Sequence, residues 1–137
     1  MGGFQGVNLL LDTHIWIWSL LDPDYLRPKV VNVLKSPSND LWLSPISVWE
    51  LLILVEKGKI VLESEPLPWV EKIFKQIPFK EAPLNIQVAK ESRFMELRHN
   101  DPADSFIAAT ALVYNLTLVT ADRHLIDCPR ISILPNK

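Results

Sequence analysis

Two long apolar runs that end close to acidic residues organise the chain. The first, Val7 to Leu11, is apolar at every position except Asn8 and is followed by Asp12. The second, Leu116 to Thr120, leads into Ala121 and Asp122. Strands that are apolar at nearly every position are typical of parallel sheets, which are covered on both faces. The pattern therefore predicts two central parallel strands that each run into an acid.

Segments with apolar residues at helical spacing alternate with these runs. We expect helices over residues 13–21, 26–35, 45–57, 66–77, 84–97 and 103–114, one helical turn at 122–126, and short strands at 41–43, 79–82 and 131–134. Pro28 stands in a first helical turn and Gly58 just after a helix, where these residue types are favoured. Strands that alternate with helices predict an α/β fold with a parallel sheet and helices on both faces.

Length and composition indicate a globular α/β domain. The chain has 137 residues, of which 48% are apolar and 22% charged, and it shows no linker or repeat, so we expect a single domain over residues 1–137. Residues 1–6 contain three glycines and are expected to be flexible. The net charge of −2 argues against non-specific nucleic-acid binding, so an RNA substrate would require locally gathered basic residues.

Several classes of protein are excluded or disfavoured. Cys128 is the only cysteine, which excludes an intrachain disulfide and a thiolate-rich zinc site and fits a reducing cytoplasm. The four glycines lie at positions 2, 3, 6 and 58, so no glycine-rich loop could hold a phosphate. The apolar stretch 9–21 is too short to span a membrane and contains Asp12 and His14. We therefore expect a cytoplasmic protein with no membrane partner.

Four acids are candidates for one site. Ligands of open α/β sheets bind beyond the carboxyl ends of the strands, where Asp12 and Asp122 are expected. Glu50 and Asp104, in the first turns of two helices, are expected to lean over the same edge. Clustered carboxylates repel one another unless a cation compensates, and oxygen ligands select Mg²⁺ or Mn²⁺. We therefore hypothesise a divalent-metal site for phosphodiester hydrolysis.

Helix capping is an alternative role for each of these acids. Residues 47–50 have the spacing of a capping box, and Asp101 and Asp104 flank a proline at a helix start. Asp122 could cap the turn that follows it. Asp12 suits such a role least because it ends a buried run, and Thr13 could cap the next helix in its place. For any one of these acids alone, the capping role is favoured. The four acids together favour a cation site.

The histidines and tryptophans are given more ordinary roles. His14, His99 and His124 lack the spacing of metal ligands, so we expect them at helix ends, in solvent or against substrate. The five tryptophans are expected in the core or at an interface: Trp16, Trp18, Trp42, Trp49 and Trp69. Base stacking by Trp16 or Trp18 is the less favoured alternative.

Four stretches resemble the PIN domain, and more closely the VapC toxins of bacterial and archaeal toxin–antitoxin pairs. They are residues 10–14, 46–50 with 58–60, 101–104 and 116–122. The resemblance implies a three-layer α/β/α sandwich with a central parallel sheet of about four to five strands. It implies a Mg²⁺- or Mn²⁺-dependent ribonuclease, a homodimer, and inhibition by a cognate antitoxin protein.

The resemblance also implies roles for individual residues. The catalytic, metal-binding acids would be Asp12, Glu50, Asp104 and Asp122, with Thr13, Asp101 and Thr120 in support. This chain has Ser105 where the family often has arginine, and Leu54 where it often has lysine. Phosphate contacts are instead expected from Arg98, Arg123, Lys57 and Lys59.

Other classes fit the sequence less well. A phosphotransfer receiver would need an aspartate at the end of a middle strand and a lysine on a late strand, and the predicted strands have neither. A phosphatase of the haloacid-dehalogenase type would need a second aspartate two residues after Asp12, where His14 stands. A catalytically silent PIN-like module that binds RNA or a partner stays open as the alternative.

Overall fold

The computed structural model describes residues 6–97 and 101–137. Of the lead-in predicted over residues 1–6, residues 1–5 lie outside this range. Within the described residues a five-stranded sheet is formed by β1 (Asn8–Leu11), β2 (Asp40–Leu43), β3 (Lys80–Glu81), β4 (Thr117–Thr120) and β5 (Ser132–Pro135). All neighbouring strands pair in parallel, in the order β3-β2-β1-β4-β5. The predicted parallel α/β fold is confirmed.

Seven α-helices connect or follow these strands in the described part of the chain. They are α1 (Thr13–Leu21), α2 (Pro28–Lys35), α3 (Pro45–Glu56), α4 (Pro66–Gln76), α5 (Ile86–Ser92), α6 (Pro102–Val113) and α7 (Arg123–Ile126), with a 3-10 turn at Pro23–Tyr25. Helices α2, α3, α4 and α6 begin at a proline, which has no backbone N–H to leave unpaired in a first turn. None of the described helices is long and apolar enough to cross a membrane.

Two apolar cores cover the two faces of the sheet. Leu9 and Leu11 of β1 point into one core, which α1 to α4 complete with residues such as Trp16 and Leu51. Leu10, between them, points into the second core, which includes Ile107 of α6. Alternating side chains of one strand thus enter opposite cores, as a sheet buried on both faces requires. This arrangement is the three-layer α/β/α sandwich.

Two helices start two residues later than predicted. Helix α2 begins at Pro28 instead of residue 26, because the residue before a proline avoids helical dihedrals, and Arg27 has an extended ψ of 149°. Helix α5 spans Ile86–Ser92, and not the predicted 84–97. Asn85 sets its start by accepting a hydrogen bond from Val88 N at 2.9 Å. After Ser92 the chain turns, and Met95 packs into the second core.

Helix α3 ends as predicted. Gly58 follows its last turn with a φ of +72°, a left-handed conformation that favours glycine. The chain then turns back toward the last turn of α3, where Lys59 N donates to Leu54 O at 2.9 Å. This turn positions Lys59 beside the cavity described next.

Candidate active site

The strand order brings four acids to one cavity. The chain leaves β1 for β2 on one side and reaches β4 on the other, so β1 and β4 flank the switch point of the sheet. Asp12 follows β1 and Asp122 lies two residues beyond β4, while Glu50 comes from α3 and Asp104 from α6. All four line a cavity of about 350 Å³, together with Thr13, His14, Trp18, Asp101 and Ala121. We call it the acidic cavity.

Asp12 is buried and held by two hydrogen bonds. Its Oδ1 accepts from Thr13 N at 2.8 Å, and its Oδ2 accepts from Thr120 Oγ1 at 2.7 Å. Burial raises the pKa of Asp12, whereas these hydrogen bonds and the nearby His14 lower it. Asp12 is itself the N-cap of α1, so the expectation that Thr13 would take over this role is wrong.

Thr13 uses its hydroxyl to hold Glu50. The Thr13 Oγ1 donates to Glu50 Oε1 at 2.5 Å and shares a 2.8 Å hydrogen bond with Ser47 Oγ. Burial is the main cause that raises the pKa of Glu50, the Thr13 hydrogen bond lowers it, and the negative charge of Asp12 raises it further. The start of α1 is therefore tied to α3 through a carboxylate that opens on the cavity.

The capping-box interpretation of residues 47–50 is wrong. Ser44 is the N-cap of α3, and its side chain accepts from Ile46 N at 3.1 Å. Glu50 is therefore the sixth residue of α3, in its second turn rather than its first, and cannot reach the N-cap amide. Helix capping does not explain the position of Glu50.

Asp101 and Asp122 each cap a helix and also line the acidic cavity. Asp101 caps α6 by accepting from Ala103 N at 3.0 Å and from Asp104 N at 3.4 Å. Asp122 caps α7 by accepting from His124 N at 2.9 Å. Both also line the acidic cavity. The capping interpretation is therefore correct for these two acids, and it does not remove them from the site.

Asp104 shows the electrostatic strain of the cluster. Its pKa is raised to about 8, first by burial and then by the negative charges of Asp101, Asp12 and Asp122. The Asp122 carboxyl raises the pKa as well, because only a protonated Asp104 can donate a hydrogen bond to a carboxylate. Among the described residues that line the cavity there is no lysine or arginine to compensate the charge.

The donor set fits a hard divalent cation. The acids offer only oxygen, the ligand type of Mg²⁺ and Mn²⁺, and a cation could replace the proton on Asp104. Within residues 6–97 and 101–137, no three Asp, Glu, His or Cys side chains already converge as a ligand group. Binding a cation would therefore require the carboxylates to turn further into the cavity that they share.

Of the predicted phosphate-contacting residues that the structure describes, none lines the acidic cavity. Lys59 lines an adjoining cavity of about 700 Å³, as does Leu54. Lys57, at the end of α3, and Arg123, the first residue of α7, are exposed. Arg98 lies outside the described residues, and so does His99. Ser105 is half-buried in α6.

Sequence reasoning did not assign Ser47 to the site, and it gave Trp18 a contact with substrate only as the less favoured alternative. Ser47 precedes Glu50 by three residues on one helix, so helical spacing already places both on one face. Trp18 follows His14 by four residues in α1 and lines the cavity by the same spacing. The contact of Ser47 with Thr13, 34 residues away, has no comparable signal in the sequence.

Comparisons with known proteins bear on the fold and the family of this chain. The family model described as PIN domain matches residues 9–131. The chain is 30% identical over 121 residues to Ribonuclease VapC22 of Mycobacterium tuberculosis (strain ATCC 25618 / H37Rv), covering 86% of this chain and 89% of that protein. The fold resembles VapBC2 from Rickettsia felis bound to a DNA fragment from their promoter, with a TM-score of 0.71, 16% identity and coverage of 94% and 98%. It also resembles FitAcB from Neisseria gonorrhoeae, with a TM-score of 0.63, 26% identity and coverage of 93% and 97%.

Proposed function

This chain belongs to the PIN-domain family, and we propose that it is a metal-dependent endoribonuclease that acts as the toxin of a toxin–antitoxin pair. Two findings support the ribonuclease and toxin assignment. The curated relative, 30% identical, is named Ribonuclease VapC22. The fold also resembles that of proteins solved as toxin–antitoxin complexes.

One observation carries the proposal that the acidic cavity is the active site. Four acids from different parts of the chain line one cavity at the switch point of the sheet. The pKa values of Asp12, Glu50 and Asp104 are all raised, in each case chiefly by burial. Buried, clustered carboxylates destabilise the folded state unless a positively charged ligand binds them. Strongly shifted pKa values of this kind are common at functional sites.

The four acids would have different roles in binding Mg²⁺ or Mn²⁺. Asp12 and Asp104, the more buried pair, would bind the principal cation. Glu50 and Asp122 would complete its shell through water or a second ion. A bound divalent cation supplies Lewis-acid chemistry, since it stabilises negative charge on phosphoryl oxygens and makes water more acidic.

The neighbouring residues fix the carboxylates for this task. Thr120 and the Thr13 amide hold the two oxygens of Asp12, and the Thr13 hydroxyl holds Glu50. Asp101 supports the site by starting α6 at the residue that places Asp104 over the cavity. In-line attack of water on the phosphorus would break the P–O3′ bond and leave a 5′-phosphate and a 3′-hydroxyl.

The expected partners follow from the same assignment. A cognate antitoxin would inhibit the enzyme, as the complexes of related folds suggest. A homodimer is supported by α3, which is apolar over most of its length and leaves Trp49 56% exposed. The single cysteine, Cys128, is buried and unpaired, which supports a cytoplasmic location.

The test is RNA cleavage by the purified chain, free of any co-purified protein. A labelled structured RNA is incubated with Mg²⁺, Mn²⁺ or EDTA, with the Asp104→Asn variant in parallel. We expect cleavage that requires the metal and disappears in the variant. If metal neither supports cleavage nor binds in calorimetry, the protein is a catalytically silent PIN-like binding module and the proposal is wrong.

A further inference from the structure

Aromatic rings lead outward from the acidic cavity. His14 and Trp18 line the cavity, and their ring centroids are 5.8 Å apart. Trp18 in turn stacks on Tyr25, with ring centroids 5.2 Å apart and an interplanar angle of 25°. Tyr25 is 63% exposed although it belongs to the 3-10 turn beside the core. The row thus begins at the acids and ends in solvent.

Trp18 stands where three cavities meet. Besides the acidic cavity, it lines a cavity of about 860 Å³ with Arg27 and another of about 700 Å³ with Lys59. Tyr25 lines both of these larger cavities. A chain-like ligand that passes through the acidic cavity would therefore reach the two rings directly, with one basic residue on each side.

The position of Tyr25 is fixed from the end of the sheet. Asn136 donates from Nδ2 to Tyr25 O at 3.0 Å and accepts from Arg27 N at Oδ1, at 2.7 Å. The backbone N–H of Asn136 donates to Thr120 O at 2.8 Å, and the side chain of Thr120 holds Asp12. The rings and the acids are thus anchored to the same strand end. A site whose geometry is set in advance loses less entropy on binding.

We propose that Trp18 and Tyr25 form a stacking platform for an unpaired base next to the scissile phosphate, an inference that rests on the ribonuclease function proposed above. The local charge does not select for phosphates. Asp24 lies with Arg27 in one of the two larger cavities, and Asp22 lies with Lys59 in the other, so each basic residue is offset by an acid. Stacking on aromatic rings needs no positive charge and accepts any base.

The platform also restricts the kind of RNA that can bind. A base within a duplex has both faces covered by its neighbours, whereas the bases of loops, bulges and ends can turn out onto protein rings. The substrate class is therefore RNA with single-stranded nucleotides at the cut. Duplex RNA of the same sequence lacks a free base for the two rings.

The test measures binding separately from cleavage. The full chain is titrated into a single-stranded decamer of uridines with one central 2-aminopurine, in EDTA so that no metal-dependent cleavage occurs. Anisotropy of a terminal dye reports binding, and the 2-aminopurine fluorescence reports stacking. We expect binding with quenching for the wild type, a loss of affinity of about tenfold or more for Tyr25→Leu, and near wild-type affinity for Tyr25→Phe.

A matched control lies at the other end of the molecule. Tyr114 also stacks on a tryptophan, Trp42, with centroids 6.3 Å apart. It follows α6 at the end opposite to Asp104, so Tyr114→Leu should leave RNA binding unchanged. Tyr25 is preferred to Trp18 for substitution because Trp18 also packs against the first core.

The outcomes separate this inference from the proposed function. Quenched binding that depends on the Tyr25 ring supports the platform even if metal-dependent cleavage fails. Absence of binding, or binding that Tyr25→Leu leaves unchanged, overturns the platform even if the acids cleave RNA. If Tyr25→Leu weakens only the binding of an antitoxin protein, the rings belong to a protein interface and the inference is wrong.

Discussion

The hydroxyl of Thr120 donates a 2.7 Å hydrogen bond to Oδ2 of Asp12 and so joins the end of β4 to the end of β1. Oγ1 of Thr120 also accepts a hydrogen bond from Asp122 N at 3.0 Å. One threonine thereby orients two of the four acids of the cavity. Because a hydrogen bond to a carboxylate favours its charged form, Thr120 lowers the pKa of Asp12 against the effect of burial.

Thr120→Val should therefore weaken the enzyme without removing any acid. We expect kcat to fall by about tenfold to a hundredfold at neutral pH, since a hydrogen bond to a charged group is worth roughly 1.5–3 kcal/mol. The acidic limb of the kcat profile should move to higher pH, because Asp12 then binds protons more tightly. Thr120→Ser keeps the donor and serves as the control. An unchanged pH profile in Thr120→Val would contradict this role.

Thr13→Val should disturb Glu50 in a comparable way. The variant loses the 2.5 Å hydrogen bond to Glu50 but keeps the backbone amide that holds Asp12. We expect a loss of activity of about tenfold, whereas Ser47→Ala, which removes only the partner of Thr13, should cost less than about threefold. Initial rates on one RNA at saturating Mn²⁺ make the comparison. Equal losses in the two variants would mean that Glu50 is not positioned by Thr13.

The sequence predicted the sheet and its acids because both leave local patterns. Asp12 and Asp122 follow apolar runs, and Asp104 follows a helix-starting proline, so their neighbourhoods already indicate where the backbone brings them. Contacts between distant residues leave no such pattern. The bond from Thr13 to Glu50 spans 37 residues, and that from Asn136 to Tyr25 spans 111. Which hydroxyl holds which carboxylate depends on side-chain packing across the sheet, and only the structure shows it.

Stability in the absence of metal should fall as the pH rises. The pKa of Asp104 is raised to about 8 from its ordinary value of 3.8. Between these values the folded protein binds more protons than the unfolded chain, so raising the pH favours unfolding. The free energy of unfolding should therefore decrease from about pH 4 to about pH 8, and a melting curve in EDTA at pH 5.5 and at pH 8.5 will measure the difference.

A divalent cation should reverse this trend. It takes the place of the proton among the carboxylates, and a ligand that binds only the folded state raises its stability. We expect Mn²⁺ to raise the melting temperature by a few degrees at pH 8.5 and much less at pH 5.5. Asp104→Asn has no such titration, so its melting temperature should depend less on pH. An equal effect of Mn²⁺ at both pH values would show that protons and metal do not compete.

Asp12→Asn tests whether the buried acid that follows β1 is functional or structural. Asparagine keeps an oxygen that can accept one of the two hydrogen bonds to Asp12 but cannot supply the charge that holds a cation. We expect cleavage to fall by at least about a thousandfold, since the reaction loses its metal chemistry. The fold should survive, because removing a buried charge relieves a desolvation cost.

The control for Asp12→Asn is Asp127→Asn, which changes an exposed acid at the end of α7, outside the acidic cavity. Its activity and melting temperature should match the wild type. If Asp12→Asn unfolds the protein, the carboxylate serves chiefly as the cap of α1. If the variant folds and keeps full metal-dependent activity, Asp12 is not a metal ligand, and the assignment of the acidic cavity as the active site fails with it.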